Sequence, residues 1–213
     1  MTKPAIEFIQ LIVLARICLE FRKIVFQGGT AIRWGYGGTR FSEDLDFYVN
    51  ATFEKQIKII KRIKKSILDD LLVLSPDFSL EIKSKQKGDL GIHWLIFSTP
   101  TENKKLRLKI EMYQTDQIDQ IACQYKVLGT IPAVHAFLMK QGVYLGTLAT
   151  LIPFESPEGI LADKVIAILN RAYIKGRDFW DIWFLITTLQ CGLKPEELHL
   201  RMKIYGLKEF KRP

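Results

Sequence analysis

Apolar positions recur at helical spacing over residues 5 to 22, and the run Phe8 to Ala15, bracketed by Glu7, Arg16 and Glu20, reads as an amphipathic helix. Eight residues are too few to cross a bilayer core of about 30 Å. Ile24, Val25 and Phe26 form a short apolar run that Gly28 and Gly29 end. Thr30 to Trp34 starts a short helix, broken by Gly35, Gly37 and Gly38, and Leu45 to Val49 reads as a second strand. From Phe53 to Leu74, the positions Ile57, Ile60, Ile63, Ile67 and Leu71 step by three or four, placing isoleucines on one helix face and lysines on the other. Three strand candidates follow, Phe78 to Lys83, Ile92 to Ser98 and Leu106 to Met112, and an antiparallel extension of the sheet is their simplest arrangement. Residues 114 to 153 show no sustained period and are left open. Pro157 to Leu169, Asp178 to Gln190 and Pro195 to Ile204 are helical by period.

Composition changes this picture little. A chain of 213 residues with 48% hydrophobic and 25% charged positions folds as one large domain or a compact pair, and we expect two lobes around one site. Cys18, Cys123 and Cys191 are far apart and lack a CxxC spacing, so neither a zinc site nor a disulfide framework is expected, and a reducing cytoplasm is the natural setting. The net charge of +8 favours polyanions at long range. Basic residues concentrate in Lys55 to Lys65, Lys83 to Lys87, Lys104 to Lys109 and Lys203 to Arg212, where a merely solvated face is an equally good reading.

The chemistry gathers around Ser42-Glu43-Asp44-Leu45-Asp46-Phe47. Strand alternation puts Asp44 and Asp46 on one face and points Leu45 and Phe47 into the core. Two carboxylates about 4 Å apart repel by roughly 4 kcal/mol at an effective dielectric of 20, so the pair wants a cation, and Mg²⁺ fits best. In Leu106 to Met112 the apolar residues alternate with Arg107, Lys109 and Glu111. If this strand neighbours that of Asp46, Glu111 offers a third metal-holding carboxylate and orients or deprotonates an attacking hydroxyl. Upstream, Gly28 and Gly29 lie between a strand and a helix start, where backbone N–H groups face an anion. Thr30 is placed to hydrogen-bond a phosphate oxygen, Arg33 and Arg40 to neutralise a triphosphate, and Ser42 completes this nucleotide-binding set. Downstream, Lys164 lies among Ile160, Leu161 and Ile168, either snorkelling or serving a ligand, and Asp178 and Asp181 share a helix face from which they can hold Lys164 or Arg171. A helix-capping Asp178 with an exposed Asp181 is the alternative.

The blocks Gln27 to Arg33, Arg40 to Phe47, Ile160 to Lys164 and Arg177 to Ile182 together resemble the AbiEii/AbiGii toxin family, nucleotidyltransferases of the DNA polymerase β-like superfamily. The resemblance covers about residues 20 to 190. It implies an α+β (mixed α/β) fold with a polymerase β-like lobe at 1–125, carrying a mixed sheet and the metal and phosphate sites, and a mainly helical lobe at 126–213 that completes the active site. It also implies Mg²⁺ or Mn²⁺, an NTP substrate, a role as toxin in a toxin–antitoxin or phage-abortive-infection pair, and a cognate antitoxin as partner. Some relatives transfer nucleotides to the 3′ end of tRNA, which makes tRNA or another RNA the expected acceptor. Carried over residue by residue, Gly28, Gly29, Thr30 and Arg33 go to the nucleotide, Asp44 and Asp46 to metal, and Lys164 with Asp178 or Asp181 to catalytic support. Position 27 is Gln where the family commonly has Lys, and the chain stops soon after the last motif, so a reduced C-terminal helical portion is expected. Transfer to a small molecule or a protein, and a degenerate relative that only binds nucleotide or antitoxin, are the alternatives.

Overall fold

The computed structural model describes residues 3–72, 77–99, 102–142, 146–173 and 175–210. Helix α1 (Lys3–Glu20) leads into β1 (Ile24–Gln27), α2 (Gly28–Gly35), β2 (Leu45–Val49) and α3 (Phe53–Leu71). Then come β3 (Ser79–Lys87), β4 (Leu90–Thr99) and β5 (Glu102–Gln114), followed by β6 (Cys123–Val127), α4 (Pro132–Gln141) and β7 (Leu151–Glu155). Helices α5 (Pro157–Asn170), α6 (Gly176–Trp183) and α7 (Pro195–Ile204) end the chain, with a π-helical turn Phe184–Thr188 after α6 that replaces the second half of the expected Asp178 to Gln190 helix. The helix expected to reach Leu74 ends at Leu71, and positions 73 and 74 lie outside the described residues. No helix of the described residues is long and apolar enough to cross a membrane.

The seven strands of the described residues join one mixed sheet in the order β3-β4-β5-β2-β1-β7-β6. β3, β4 and β5 form the expected antiparallel meander, whereas β5 lies parallel to β2 and β7 parallel to β1. The open stretch 114 to 153 thus supplies two strands, and the expected lobe boundary at 125/126 falls inside β6. Pro153 in β7 has no N–H to donate, and β7 meets β1 at a single pair, Phe26 with Phe154.

Period-two alternation divides the sheet. Leu45, Phe47, Leu95, Phe97, Leu108, Ile110 and Met112 are fully buried on the face that carries the main core. On that side α3 buries Ile59, Ile60, Ile63, Ile67 and Leu71, with Ile59 rather than Ile57 on the inner face. Thr52 caps α3 through its hydroxyl, and Arg16 ties α1 to α3 by two 2.7 Å bonds to Asp70. Helix α1 is not amphipathic over its apolar run, because every residue from Glu7 to Ala15 is buried. Its two polar positions there are partnered instead of solvated: Glu7 accepts from Arg33, and Gln10 donates to the carbonyls of Ser42 and Glu43. The other face of the sheet carries a smaller cluster, Val25, Tyr48, Ile118, Ile121 and Ile204, under α7.

His93 of β4 shows how the core side tolerates a titratable group. It is fully buried, Nδ1 accepts from the Ser84 hydroxyl at 2.8 Å, and Nε2 donates to Gln56 Oε1 at 3.2 Å. Gln56 in turn donates to the Ala51 carbonyl. Every polar atom of the neutral ring is satisfied, and burial pushes its pKa down to about 4. The unfolded chain binds a proton near the ordinary value of about 6.5, so the native state's advantage is complete above that pH and is lost as pH falls toward 4. We expect the melting temperature to decline across this window, and the gap between wild type and His93→Gln to shrink by up to roughly 3 kcal/mol as pH falls. Parallel melting curves for the two proteins, measured by circular dichroism, would reject this assignment.

Candidate active site

At the end of β1 the chain turns through Gly28, whose φ of +78° suits glycine. A side chain at Gly28 would also collide with the Asp46 carboxylate, and one at Gly29 with Arg40 and Ser42. The turn is therefore glycine because two functional segments close on it. The loop before β2 is pinned from both sides: Gln10 Nε2 donates to the Ser42 carbonyl at 2.8 Å and the Glu43 carbonyl at 2.9 Å, and Thr30 Oγ1 donates to the Asp44 carbonyl at 2.5 Å.

Asp46 pairs across β1 with Gln27 and across β5 with Glu111. The strand carrying Glu111 is thus the neighbour of the strand carrying Asp46. Neighbouring strands lie about 4.8 Å apart, so the two carboxylates stand side by side. Lys109 sits among the acids, its Nζ 2.9 Å from Asp44 and 3.3 Å from Glu111. Burial, then Glu111 and Asp44, push the Asp46 carboxyl up to about 7 against the pull of Lys164 and Lys109. Asp44, Asp46 and Glu111 offer only oxygen donors, the set that Mg²⁺ or Mn²⁺ prefers. Among the described residues no three Asp, Glu, His or Cys side chains already converge as a metal shell. The residues fit a divalent ion in chemistry, with the Lys109 ammonium among them.

Across the cavity stand α5 and α6. Lys164 Nζ is 2.7 Å from Asp181 and 3.6 Å from Asp178. Asp181 also receives Arg40, from Nε at 3.0 Å and from Nη2 at 2.7 and 2.9 Å, while Asp178 receives Arg171. Both aspartates are buried, so neither caps a helix in solvent. Ser156 caps α5 through its hydroxyl, and its Pro157 sits where a missing N–H costs nothing. The open cleft between them, about 310 Å³, is lined by Gly28, Gly29, Ser42, Asp44, Asp46 and Glu111 on one side and by Lys164, Arg171, Arg177 and Asp178 on the other. That is near the lower end of small-molecule sites, which run from about 300 to 1,000 Å³.

Most of the expected residues line the cavity, and three, Thr30, Arg33 and Asp181, do not. Thr30 is fully buried, and its hydroxyl is committed to the Asp44 carbonyl instead of a phosphate. Arg33 is absent from the cavity wall: its Nε bonds Glu7 at 2.6 Å and its Nη1 the Gly38 carbonyl at 3.2 Å, because α2 turns it toward α1. Arg40 reaches the wall, but with its guanidinium held by Asp181. Asp181 lies behind the wall, supporting Lys164 and Arg40. Sequence reasoning missed Lys109, Arg177, Tyr113, Asp163 and Tyr205. Lys109 was legible as the polar position two before Glu111, and Asp163 as the neighbour of Lys164, whereas Tyr205 arrives only through the packing of α7. If Thr30 builds the loop, Thr30→Val will lower stability by about 1–2 kcal/mol and leave Mg·NTP affinity nearly unchanged. A tenfold or larger loss of affinity in calorimetry, with the fold intact, would return its hydroxyl to the phosphates.

The fold is shared with solved structures, among them a putative nucleotidyltransferase from H. pylori that is 22% identical, with a TM-score of 0.57 over 87% of this chain and 69% of that one. JHP933 from Helicobacter pylori is 20% identical, with a TM-score of 0.59 over 96% of this chain and 75% of that one. The antibiotic-resistance factor ANT(2'')-Ia is 15% identical, with a TM-score of 0.50 over 97% of this chain and 93% of that one. No curated protein sequence matches the chain. A family model described as "Nucleotidyl transferase AbiEii toxin, Type IV TA system" matches residues 12–209, which takes in both glycines, the acidic strands and the Lys164 wall. The chain belongs to this AbiEii family of nucleotidyltransferase toxins.

Proposed function

We propose that this toxin transfers the NMP unit of an NTP, with Mg²⁺ or Mn²⁺, to a 3′-terminal hydroxyl of RNA, tRNA being the expected acceptor. The observation that carries the reading is Asp46 beside Glu111 on parallel strands, with Asp44 and the Gly28–Gly29 turn at the same end of the sheet. The backbone N–H groups at the start of α2 face anions, and Gly28 and Gly29 let phosphates approach closely. Asp44, Asp46 and Glu111 would hold the divalent ion, which when bound offsets charge on the phosphates. The acceptor oxygen forms its bond to the α-phosphorus as the bond to pyrophosphate breaks, and the hydroxyl proton passes to a Glu111 carboxylate oxygen. Lys164, aimed by Asp178 and Asp181, neutralises the leaving pyrophosphate, and Arg171 and Arg177 add charge on the same wall. The protein thus chiefly positions groups and balances charge. An RNA-modifying toxin of this kind works in the cytoplasm beside its antitoxin.

Incubation with labelled NTPs, Mg²⁺ and total RNA, protein or aminoglycosides identifies the acceptor, and label on RNA is expected. Label on protein or aminoglycoside alone overturns the RNA reading while leaving transfer itself intact. Asp44→Asn and Asp46→Asn are each expected to slow transfer by at least about 10³-fold, since the ion and its ligands supply several kcal/mol. Asp46→Asn should melt at or above the wild-type temperature, because it removes a buried carboxylate beside two others, while Asp44→Asn, which gives up the ion pair with Lys109, should stay folded. Transfer retained at the wild-type rate would remove these residues from the mechanism.

A further inference from the structure

The face of the sheet that carries Asp46 continues past the cavity onto β3, β4 and β5. Register aligns Lys85, Ile92, Glu111 and Asp46 in one transverse row, and Lys83, Trp94 and Lys109 in the next. A third row, Lys87, Leu90 and Tyr113, enters the cavity wall through Leu90 and Tyr113. The main core, α1 and α3 lie on the opposite face, as the contacts of His93 with Gln56 and Phe53 require. On the site's face, Lys83, Lys85, Lys87 and Arg107 are exposed, and Ile92 and Trp94 are half-exposed between them. Glu81, 3.2 Å from Lys83, is the acidic exception on β3.

Lysines on an edge strand discourage sheet-to-sheet aggregation whichever way they point. Here all three point to the site's face, while Ile82, Ser84 and Gln86 occupy the other. Arg107 and Lys109 of β5 pair with Ile96 and Trp94 of β4 and extend the same cationic face to the point where β2 joins at Ile110. The row from Lys85 to Asp46 crosses three strand spacings, about 14 Å. A cationic sheet surface with an indole among its lysines, running into the candidate active-site cavity, has the chemistry of a single-strand platform: cations follow the backbone and the ring stacks a base.

We propose that the β3–β5 wing, with Lys83, Lys85, Arg107 and Trp94, docks the single-stranded 3′ arm of the acceptor RNA and leads its terminal hydroxyl to Asp46 and Glu111. This rests on the RNA-transfer reading and adds to it the surface and the single-stranded form of the acceptor. The test compares a Lys83→Gln/Lys85→Gln/Arg107→Gln variant with a charge-matched control on α3, Lys55→Gln/Lys58→Gln/Lys61→Gln, whose side chains are exposed on the far side of the sheet. The probe is a short fluorescein-labelled single-stranded oligoribonucleotide with a free 3′-hydroxyl, titrated by anisotropy at several salt concentrations, with Mg·NTP binding followed separately by calorimetry.

The wing variant is expected to lower the slope of log affinity against log salt by about 2, the share of three phosphate contacts on a single strand. The control should keep the wild-type slope, and both variants should bind Mg·NTP as the wild type does. Trp94→Ala is expected to weaken oligonucleotide binding roughly tenfold, with Trp94→Phe restoring most of it. Equal losses in wing and control, binding of a blunt RNA duplex as tight as that of the single strand, or no RNA binding by the wild type would each overturn the proposal. If the oligonucleotide binds on the wing but label from NTP goes only to protein or an aminoglycoside, the transfer reading fails and the wing remains an RNA surface. If RNA is labelled while the wing variant binds it normally, the docking surface fails alone.

Discussion

Like-charge repulsion at one end of the sheet organises the molecule. Asp44, Asp46 and Glu111 are brought together by the parallel pairing of β2 and β5, and two such charges about 4 Å apart oppose each other by roughly 4 kcal/mol even under generous screening. A fold that holds them must keep the backbone rigid and supply cations. Rigidity comes from the fully buried Leu45, Phe47, Ile110 and Met112 on the reverse of the same strands. Cations come from Lys109 within the sheet and Lys164 from α5. Lys164 must itself be aimed, which is the work of the buried Asp178 and Asp181. Asp181 also takes Arg40, so α6, α5 and the loop before β2 are fastened at one carboxylate.

The glycine turn looks different once its neighbours are in place. Read locally, Thr30, Arg33 and Arg40 are polar residues beside a phosphate-seeking loop. In three dimensions each has a prior commitment to protein: Thr30 to the Asp44 carbonyl, Arg33 to Glu7, Arg40 to Asp181. These bonds fix the loop that presents Asp44. Position 27 is Gln, and in the proposed reading positive charge for a nucleotide would come from the opposite wall, where Lys164, Arg171 and Arg177 stand. On that proposal the two sides of the cavity would divide the task, backbone N–H groups and acids on the sheet side and cations on the helix side.

How much of this was legible follows from the range of each interaction. The alternation of Leu45 and Phe47 with Asp44 and Asp46, and of the β5 apolar residues with Lys109 and Glu111, is local and could be read directly. Whether β5 lies beside β2 could not, because pairing between segments about sixty residues apart is decided by tertiary packing. Helix α1 misled for a related reason: Glu7 and Gln10 carry the marks of a solvent face, and only partners on distant segments allow them inside. The stretch 114 to 153 was illegible because β6 exposes Gln124 and Tyr125, and β7 carries Pro153, so neither shows the pattern of a sheet interior. The AbiEii blocks were specific because each holds a residue that the site constrains sterically or electrically.

The floor of the cavity depends on an interaction with no local signature at all. Arg201 of α7 is fully buried against Glu155 of β7, with Glu197 at 3.2 Å and Asp163 of α5 at 3.6 Å. A guanidinium stays charged in any protein interior, so it enters one only with its partners in place. Removing one member of such a pair costs about 3–5 kcal/mol, because the other is left charged without compensation. Helix α7 therefore docks with these contacts made or does not dock. Its docking delivers Tyr205, whose hydroxyl meets Asp163 at 3.0 Å and Tyr48 at 2.5 Å and whose side chain lines the cavity. Burial raises the Asp163 carboxyl above the ordinary range, and the Tyr48 and Tyr205 hydroxyls donating to it pull the other way. The last helix is thus part of the cavity, and its place is set by charge pairing as much as by apolar packing.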